Sequence, residues 1–450
     1  MRGKIDFTQG RLVPSLLLFA LPIILGEMFQ SLYNSVDSMV VGNLVGKTAL
    51  AAVSVCSPLS SFFVGFSVGM SIGATVITSK AFGRKEVEHL QVTVDTACSF
   101  ALFLGLILSV AGVLTASWLL QLVSVPEDVY PEALAYLRIY MGGLCFTIQY
   151  NIVTGILRST GDSRTPLLIL LFSAVINLAL DMVFVYALRW NVHGAAIATV
   201  LSQLISCALA YGALKQAFPR FAMDGKKLIQ NRAIAREMMR IGMPSGIQYS
   251  LTYLSNIFVW RYIARFGASV MAGVGVAQKI NKLVDYPCKG FGSAITTMIS
   301  QNVGAGDEKR VKTGIRSGML VSCGIILGLS GAVYLLASPL SRIFGDAADV
   351  IEISVKMLHV ITPFYVFMVI REVFVGILRG HGISFPVMVL GLAGMVGVRQ
   401  AFLAISMAMN PTPMNIYACY PIAWFATALL MCTCYLVRKN GFLRAAEKQE

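Results

Sequence analysis

Apolar runs of about twenty residues recur along the whole chain, each long enough to cross a bilayer core, and short breaks rich in polar residues, Gly and Pro separate them. The pattern predicts about twelve helices. Six lie near 13–38, 49–79, 92–120, 129–157, 166–188 and 194–215. Six more follow near 237–264, 271–302, 313–336, 350–378, 384–408 and 415–437. The first run also carries ordered polar positions. Glu27, Gln30, Asn34 and Asp37 are spaced 3, 4 and 3 residues apart, which places them on one helical face. A carboxylate in a membrane helix costs about 2.5–3.5 kcal/mol on insertion scales, so it faces protein or water and usually has a function.

Composition agrees with the pattern. Only 13% of the 450 residues are charged and 56% are hydrophobic, against about 25% charged in a soluble domain. The expected fold class is an all-α membrane protein. The net charge of +14 would suit a nucleic-acid binder if it were clustered on a soluble face. Most of it falls instead in loops on one side of the helices, including Arg2, Lys4, Arg11, Arg84, Lys85, Arg164, Lys309, Arg310 and the tail from Arg438. The opposite loops hold Glu127, Asp128, Asp346 and Asp349. That asymmetry predicts a multi-pass protein of the plasma (inner) membrane with both termini cytoplasmic. The N-terminal stretch MRGKIDFTQGR is short and polar, and the run after it is too long for a signal peptide, so no cleaved leader is expected. The nine Cys fall in predicted spans, with neither a disulfide framework nor a zinc spacing.

The chain repeats itself. GILR at 155–158 recurs at 376–379, an offset of 221 that also relates Gly161 to Gly382, Gly69 to Gly290, Ser79 to Ser300 and Gly83 to Gly304. The LP at 21–22 is answered by MP at 243–244, at 222. A Lys/Arg-rich linker, 216–236, divides an N-terminal six-helix lobe (1–215) from a C-terminal six-helix lobe and tail (237–450). An even number of spans per repeat gives both lobes the same orientation. Parallel repeats are related by an axis along the membrane normal, with the substrate site expected between them.

LP in the first helix, YNSVDSMVVG at its end, the AL-AAVS opening of the second, GILR before a Gly, and ISQNVGAGDEKR after the eighth resemble the multidrug and toxic compound extrusion (MATE) family of the MOP flippase superfamily. The resemblance covers nearly the whole chain. It implies two parallel-repeat six-helix lobes around a central cleft. It also implies a cation-coupling site in the N-terminal lobe, formed by an Asp of the first helix and an Asn-x-x-x-Asp of the fifth. Those positions are Asp37, Asn177 and Asp181 here, with Thr199 matched less directly.

Depth along the helices points to the same residues. If the first helix rises from the cytoplasm at Val13, Asp37 lies roughly 36 Å along its axis at about 1.5 Å per residue. In the fifth helix Asn177 and Asp181 are four apart and share a face, and Asp181 lies roughly 22 Å up. Thr199 and Gln203 fall in the outer half of the sixth. Oxygen ligands suit a hard cation and a carboxylate suits a proton, so the coupling ion is a proton or sodium, with sodium possible at Asp37 and Asp181. No other metal and no cofactor is expected. An interfacial Asp that caps its helix is the simpler alternative for Asp37. Asn151 is an outlying candidate that a helix–helix hydrogen bond would equally explain. Pro22 is either a static bend or a hinge. Glu27, Gln30, Asn34 and Gln203, with Gln248, Thr252 and Asn256 on the seventh helix and Glu372 and Arg399 further on, are candidates for lining a cavity.

The second lobe does not copy the acids. At offset 221 Asp37 maps to Phe258 and Asp181 to Phe402. It is basic instead, with Lys279, Lys282, Lys289, Arg371 and Arg399 against Asp285 and Glu372. Internal pairing would explain this, with Lys282 meeting Asp285 and Arg399 meeting Glu372. A cavity that prefers anionic or zwitterionic cargo would explain it too. The four His have no metal partner at useful spacing.

The expected function is a proton- or sodium-coupled antiporter that exports small amphipathic, drug-like cations by alternating access. A monomer in contact with membrane lipid is expected, with no nucleic-acid partner. A flippase for lipid-linked saccharides keeps the fold and changes the cargo. An intramembrane lipid-modifying enzyme would need a catalytic loop, and the loops are short.

Overall fold

A computed structural model describes residues 4–123, 125–222 and 231–446, with side chains described except at 37–41, 43, 44, 47 and 440–446. Among them there are helices and no strand. The first half contains α1 (Leu12–Leu44), α2 (Lys47–Gly83), α3 (Val87–Leu122), α4 (Tyr130–Gly142), α5 (Leu144–Ser159), α6 (Arg164–Asp181) and α7 (Asn191–Ala217). The second half contains α8 (Arg232–Ile263), α9 (Ala268–Gly304), α10 (Glu308–Leu335), the short α11 (Ala337–Arg342), α12 (Ala348–Ile361), α13 (Tyr365–Gly380), α14 (Phe385–Leu392), α15 (Arg399–Met409) and α16 (Pro413–Ala446).

These segments are the twelve rods of the hydropathy pattern once three breaks are recognised and the six-residue α11 is set apart as a connector. α4 and α5 are one span interrupted at Gly143, where a Cβ would stand 2.5 Å from Val200 Cγ2. A 3-10 turn at Thr362–Phe364 joins α12 to α13, and a π turn at Ala393–Val398 joins α14 to α15. Nine helices among the described residues are long and apolar enough to span a membrane. The other three are the α4–α5 span, broken at Gly143, and α8 and α9, which carry polar residues deep in their length, among them Gln248, Thr252 and Asn256 in α8 and Gln278, Lys279, Asn281, Lys282 and Asp285 in α9. Pro22, Pro58, Pro244, Pro287 and Pro421 all sit inside helices, each removing one donor from the backbone ladder.

The chain divides into two compact units. One comprises Leu25–Ser250 with the segment ending at Ile5; the other comprises Asp6–Ile24 and the chain from Leu251 on. This differs from the division at the 216–236 linker: the boundaries cut through α1 and α8. In the first unit α2 and α3 pack on α5, and α6 on α7. The N-terminal half of α8 lies directly against α2, with a Cβ on Gly73 only 2.5 Å from Met238 O. Ser250 Oγ donates to Phe62 O at 2.7 Å. Gly161 turns the chain after α5 at φ 88°, and Ile5 N donates to its carbonyl at 3.0 Å.

In the second unit α9 packs on α13, α12 and α10. The first half of α1 belongs here, with Leu16, Phe19 and Ala20 buried. The residues before it are held as well. Phe7 is fully buried and meets the Phe19 ring edge-on at 5.3 Å. Phe7 N donates to Gln301 Oε1 at 3.0 Å. Its carbonyl accepts from Asn302 Nδ2 at 3.2 Å and from Arg310 Nε and Nη2 at 3.1 and 2.9 Å. Gly382 repeats the φ of Gly161, 88°. All nine Cys are free thiols.

Candidate ion-coupling site

The site is built on the buried face of α6. Ser173, Asn177 and Asp181 recur every four residues, and Asn177 and Asp181 are 1% and 0% exposed. This is the i, i+4 spacing that the sequence displays. With the Asn177 amide oriented by its partners, its nitrogen donates to Asp181 Oδ2 at 3.0 Å. Tyr33 Oη of α1 stands 3.1 Å from that nitrogen and 3.2 Å from the amide oxygen. The oxygen also faces Thr199 N of α7 at 3.3 Å. One turn further on, Ser206 Oγ donates to Ser173 Oγ at 2.6 Å. Asn177 thus links one buried carboxylate, Asp181, to the Tyr33 hydroxyl of α1 and to the Thr199 N–H of α7, while the Thr199 hydroxyl donates to Ala195 O at 2.9 Å. Directly after Asp181 the helix widens into a π turn, Met182–Ala187, a distortion that often marks functional positions.

Of the sequence candidates, Asn177, Asp181 and Thr199 come together, and Tyr33, which sequence reasoning passed over, joins them. Asp37 lies in α1, one turn beyond Tyr33; its side chain lies outside the described ones. Gln30 Nε2 donates to Asn34 Oδ1 at 3.1 Å along the expected stripe of α1, and Glu27 is exposed on that helix. Gln203 is half-buried on α7. Asn151 is not part of the cluster: its amide donates to Ser67 Oγ at 3.1 Å and to Thr147 O at 2.9 Å, tying α5 to α2. Pro22 is buried in α1, three residues before the unit boundary. Among the described residues no cluster of His, Cys, Asp and Glu could hold a metal ion.

The second unit departs from two expected pairings. Asp285 pairs with Lys289 at 2.7 Å, not with Lys282, because an acid placed N-terminal to a lysine at i, i+4 is the favoured order on a helix. Glu372 pairs with its neighbour Arg371, not with Arg399. Arg399 is 2% exposed and donates from Nη2 to Ser255 Oγ at 2.8 Å. On α8, Gln248 and Thr252 are half-buried and Asn256 is exposed; the buried polar residues of that stretch are Ser250 and Ser255, neither of them a sequence candidate.

One profile of transporters, MatE, matches the chain twice, over residues 22–183 and 244–405. The two matches are separated by 222 residues at both ends (244 − 22 and 405 − 183). The chain belongs to the MatE family. It is a multi-pass membrane transporter and not an enzyme. The "Probable multidrug resistance protein YpnP" of Bacillus subtilis is 30% identical over 403 residues, covering 89% of each chain. The "FAD transporter" of Shewanella oneidensis is 26% identical over 361 residues, covering 78% of this chain and 77% of its own. The crystal structure of a MATE protein "in the straight conformation" superposes with a TM-score of 0.89 at 20% identity, over 99% of this chain and 100% of that one. This MatE chain therefore has the twelve-helix all-α membrane fold that its hydropathy pattern predicts.

Proposed function

We propose that this MatE protein is a secondary active exporter of small amphipathic compounds, driven by proton or sodium entry at the α1–α6–α7 cluster. The observation that carries this reading is the burial of Asp181 against Asn177 inside a bundle of otherwise apolar helices. A fully buried carboxylate is expensive in this setting and is retained where an ion pathway uses it. Asp181 supplies a carboxylate, Asn177 holds it, and the Tyr33 hydroxyl and Thr199 N–H hold Asn177. Asp37, one turn from Tyr33 on α1, supplies the second acid. With the termini cytoplasmic, this cluster lies in the outer half, where the cell exterior supplies the ion. One charge moving across 100 mV contributes about 2.3 kcal/mol, added to the ion gradient. The ion drives export only if it binds the outward- and inward-open states with different affinity. Pro22 lies on the helix that carries Asp37, and in this reading α1 bends there as the charge at the cluster changes.

The test uses proteoliposomes with an imposed proton or sodium gradient and a panel of fluorescent cations, with equilibrium binding measured in parallel. Asp181→Asn and Asp37→Asn should each abolish gradient-driven transport and leave cargo binding largely in place. Full transport by both variants would overturn the mechanism. The relative named as a multidrug resistance protein favours drug-like cargo. The relative named as a FAD transporter, together with the basic second unit, favours a second class of cargo, an anionic amphiphile.

A further inference from the structure

We infer that the second unit holds a buried oxyanion site centred on the Arg399 guanidinium, at the position that Asn177 occupies in the first unit. It deepens the exporter reading and rests on it, because it names an anionic group of the cargo as the occupant.

The correspondence follows from helix register. Before the π turn at Ala393–Val398 the repeat offset is 221, as at Gly161 and Gly382. A π turn accommodates one extra residue, so beyond it the offset becomes 222. The burial rhythm obeys this shift: the inward positions Ser173, Asn177 and Asp181 of α6 are matched by Gly394, Arg399 and Leu403. The contact across to the first helix of each repeat is duplicated as well. Tyr33 touches Asn177 in one unit and Ser255 touches Arg399 in the other. Both members are separated from their counterparts by 222 (255 − 33 and 399 − 177). The architecture is conserved and the polarity is reversed.

The guanidinium is left short of acceptors. Buried charges are normally paired, yet both acids of this unit's basic cluster are engaged elsewhere, Asp285 with Lys289 and Glu372 with Arg371. Arg399 Nε is buried and has no acceptor among the described residues. Its Nη2 and the Gln400 amide converge on the single oxygen of Ser255, at 2.8 and 3.0 Å. The charged fork is thus met by a neutral hydroxyl where a buried guanidinium would ordinarily meet an acid, and that fork suits carboxylate or phosphate. Next to it Tyr420 Oη accepts from Gln278 Nε2 at 2.7 Å. The rings of Tyr420, Trp424 and Tyr365 run on from there with centroids 6.2 and 5.6 Å apart. Tyr365 and Trp424 are themselves buried, at 0% and 3% exposure, so the part of the cargo that this site recognises is its anionic group.

The test compares FMN with riboflavin, which share the ring and differ in one phosphate, on the full-length protein in phosphatidylcholine nanodiscs without any gradient. FMN should bind at least tenfold tighter than riboflavin, and inorganic pyrophosphate should compete. Arg399→Gln should erase the difference, and Lys356→Gln, which removes an exposed positive charge of the same unit, should retain it. Arg399→Lys keeps the charge and serves if the Gln variant does not fold; it should lower the preference several-fold. If phosphatidylglycerol nanodiscs abolish FMN binding competitively, the occupant is a lipid phosphate; if FMN binding persists there, it is soluble cargo. Equal binding of the two flavins by the wild type, no binding of FMN or pyrophosphate, or a full preference in the Arg399 variants would overturn the site. Because no gradient is applied, such a failure leaves ion-driven export untouched, and loss of coupling in Asp181→Asn leaves this site untouched.

Discussion

Gly69 and Gly246 meet backbone to backbone: a Cβ built on Gly69 would lie 2.1 Å from the Gly246 nitrogen. The equivalent contact in the second unit, Gly290 against Ile24, places a side-chain atom at 2.4 Å instead. The two contacts occupy matching places in the repeat and differ in what must yield. Backbone at α2–α8 cannot move without shifting a helix, whereas the Ile24 side chain can change rotamer.

Gly69→Ala should therefore destabilise the protein more than Gly290→Ala. Overpacking of a tight core costs about 1–3 kcal/mol and more where backbone is displaced. Thermal melts of purified protein, followed by exposure of the buried free cysteines to a thiol-reactive dye, should show the larger drop in Tm for Gly69→Ala. Equal drops would mean that α8 shifts as easily as one side chain turns.

Tyr33→Phe should weaken ion binding without unfolding the protein. The ring stays, and the hydroxyl that stands beside both ends of the Asn177 amide is lost. A hydrogen bond of this kind contributes about 1 kcal/mol, so the concentration of proton or sodium at half-maximal transport should rise severalfold at unchanged Tm. An unchanged half-maximal concentration would leave Tyr33 as packing alone.

Arg310→Ala should release the segment before α1. Arg310 donates to the carbonyls of Phe7, Gln9 and Gly10, and bonds to charged donors are worth about 1.5–3 kcal/mol. Hydrogen exchange should speed up in peptides covering residues 5–10 while α9 and α10 keep their protection. Slow exchange at residues 5–10 in the variant would assign the hold to Gln301 and Asn302.

Impermeant maleimide should separate the loops by side, in a background with the native cysteines replaced. Arg84→Cys and Lys309→Cys should react only after the membrane is opened, and Glu127→Cys in intact cells. The reverse pattern would overturn the orientation drawn from Lys and Arg.

Hydropathy made the rods legible, and chemistry made part of the site legible. Asn177 and Asp181 are recognisable because polar residues at i, i+4 in an apolar helix have few uses. Tyr33 was hidden because a tyrosine in a membrane helix is unremarkable without its partner. The counterpart of Asn177 was hidden for a different reason. The π turn at Ala393–Val398 adds a residue with no punctuation in the sequence, so a constant offset of 221 pairs Asn177 with Val398 and passes over Arg399. Asp285 was given the wrong partner because two lysines share its helix face, and only their order along the helix, acid before lysine, ranks Lys289 first.

The cut through α1 and α8 bears on how a duplicated chain of this kind could arise. Residues 6–24 complete the second bundle, and the first bundle takes in residues up to Ser250, beyond the linker. A half-length ancestor packed in this way would leave its own bundle short of half a helix and would carry the missing piece for another copy. Two such chains would complete each other only as a swapped homodimer. Joined in one chain, two such copies make that exchange within a single molecule, and each is free to carry its own charge, Asp181 in one and Arg399 in the other.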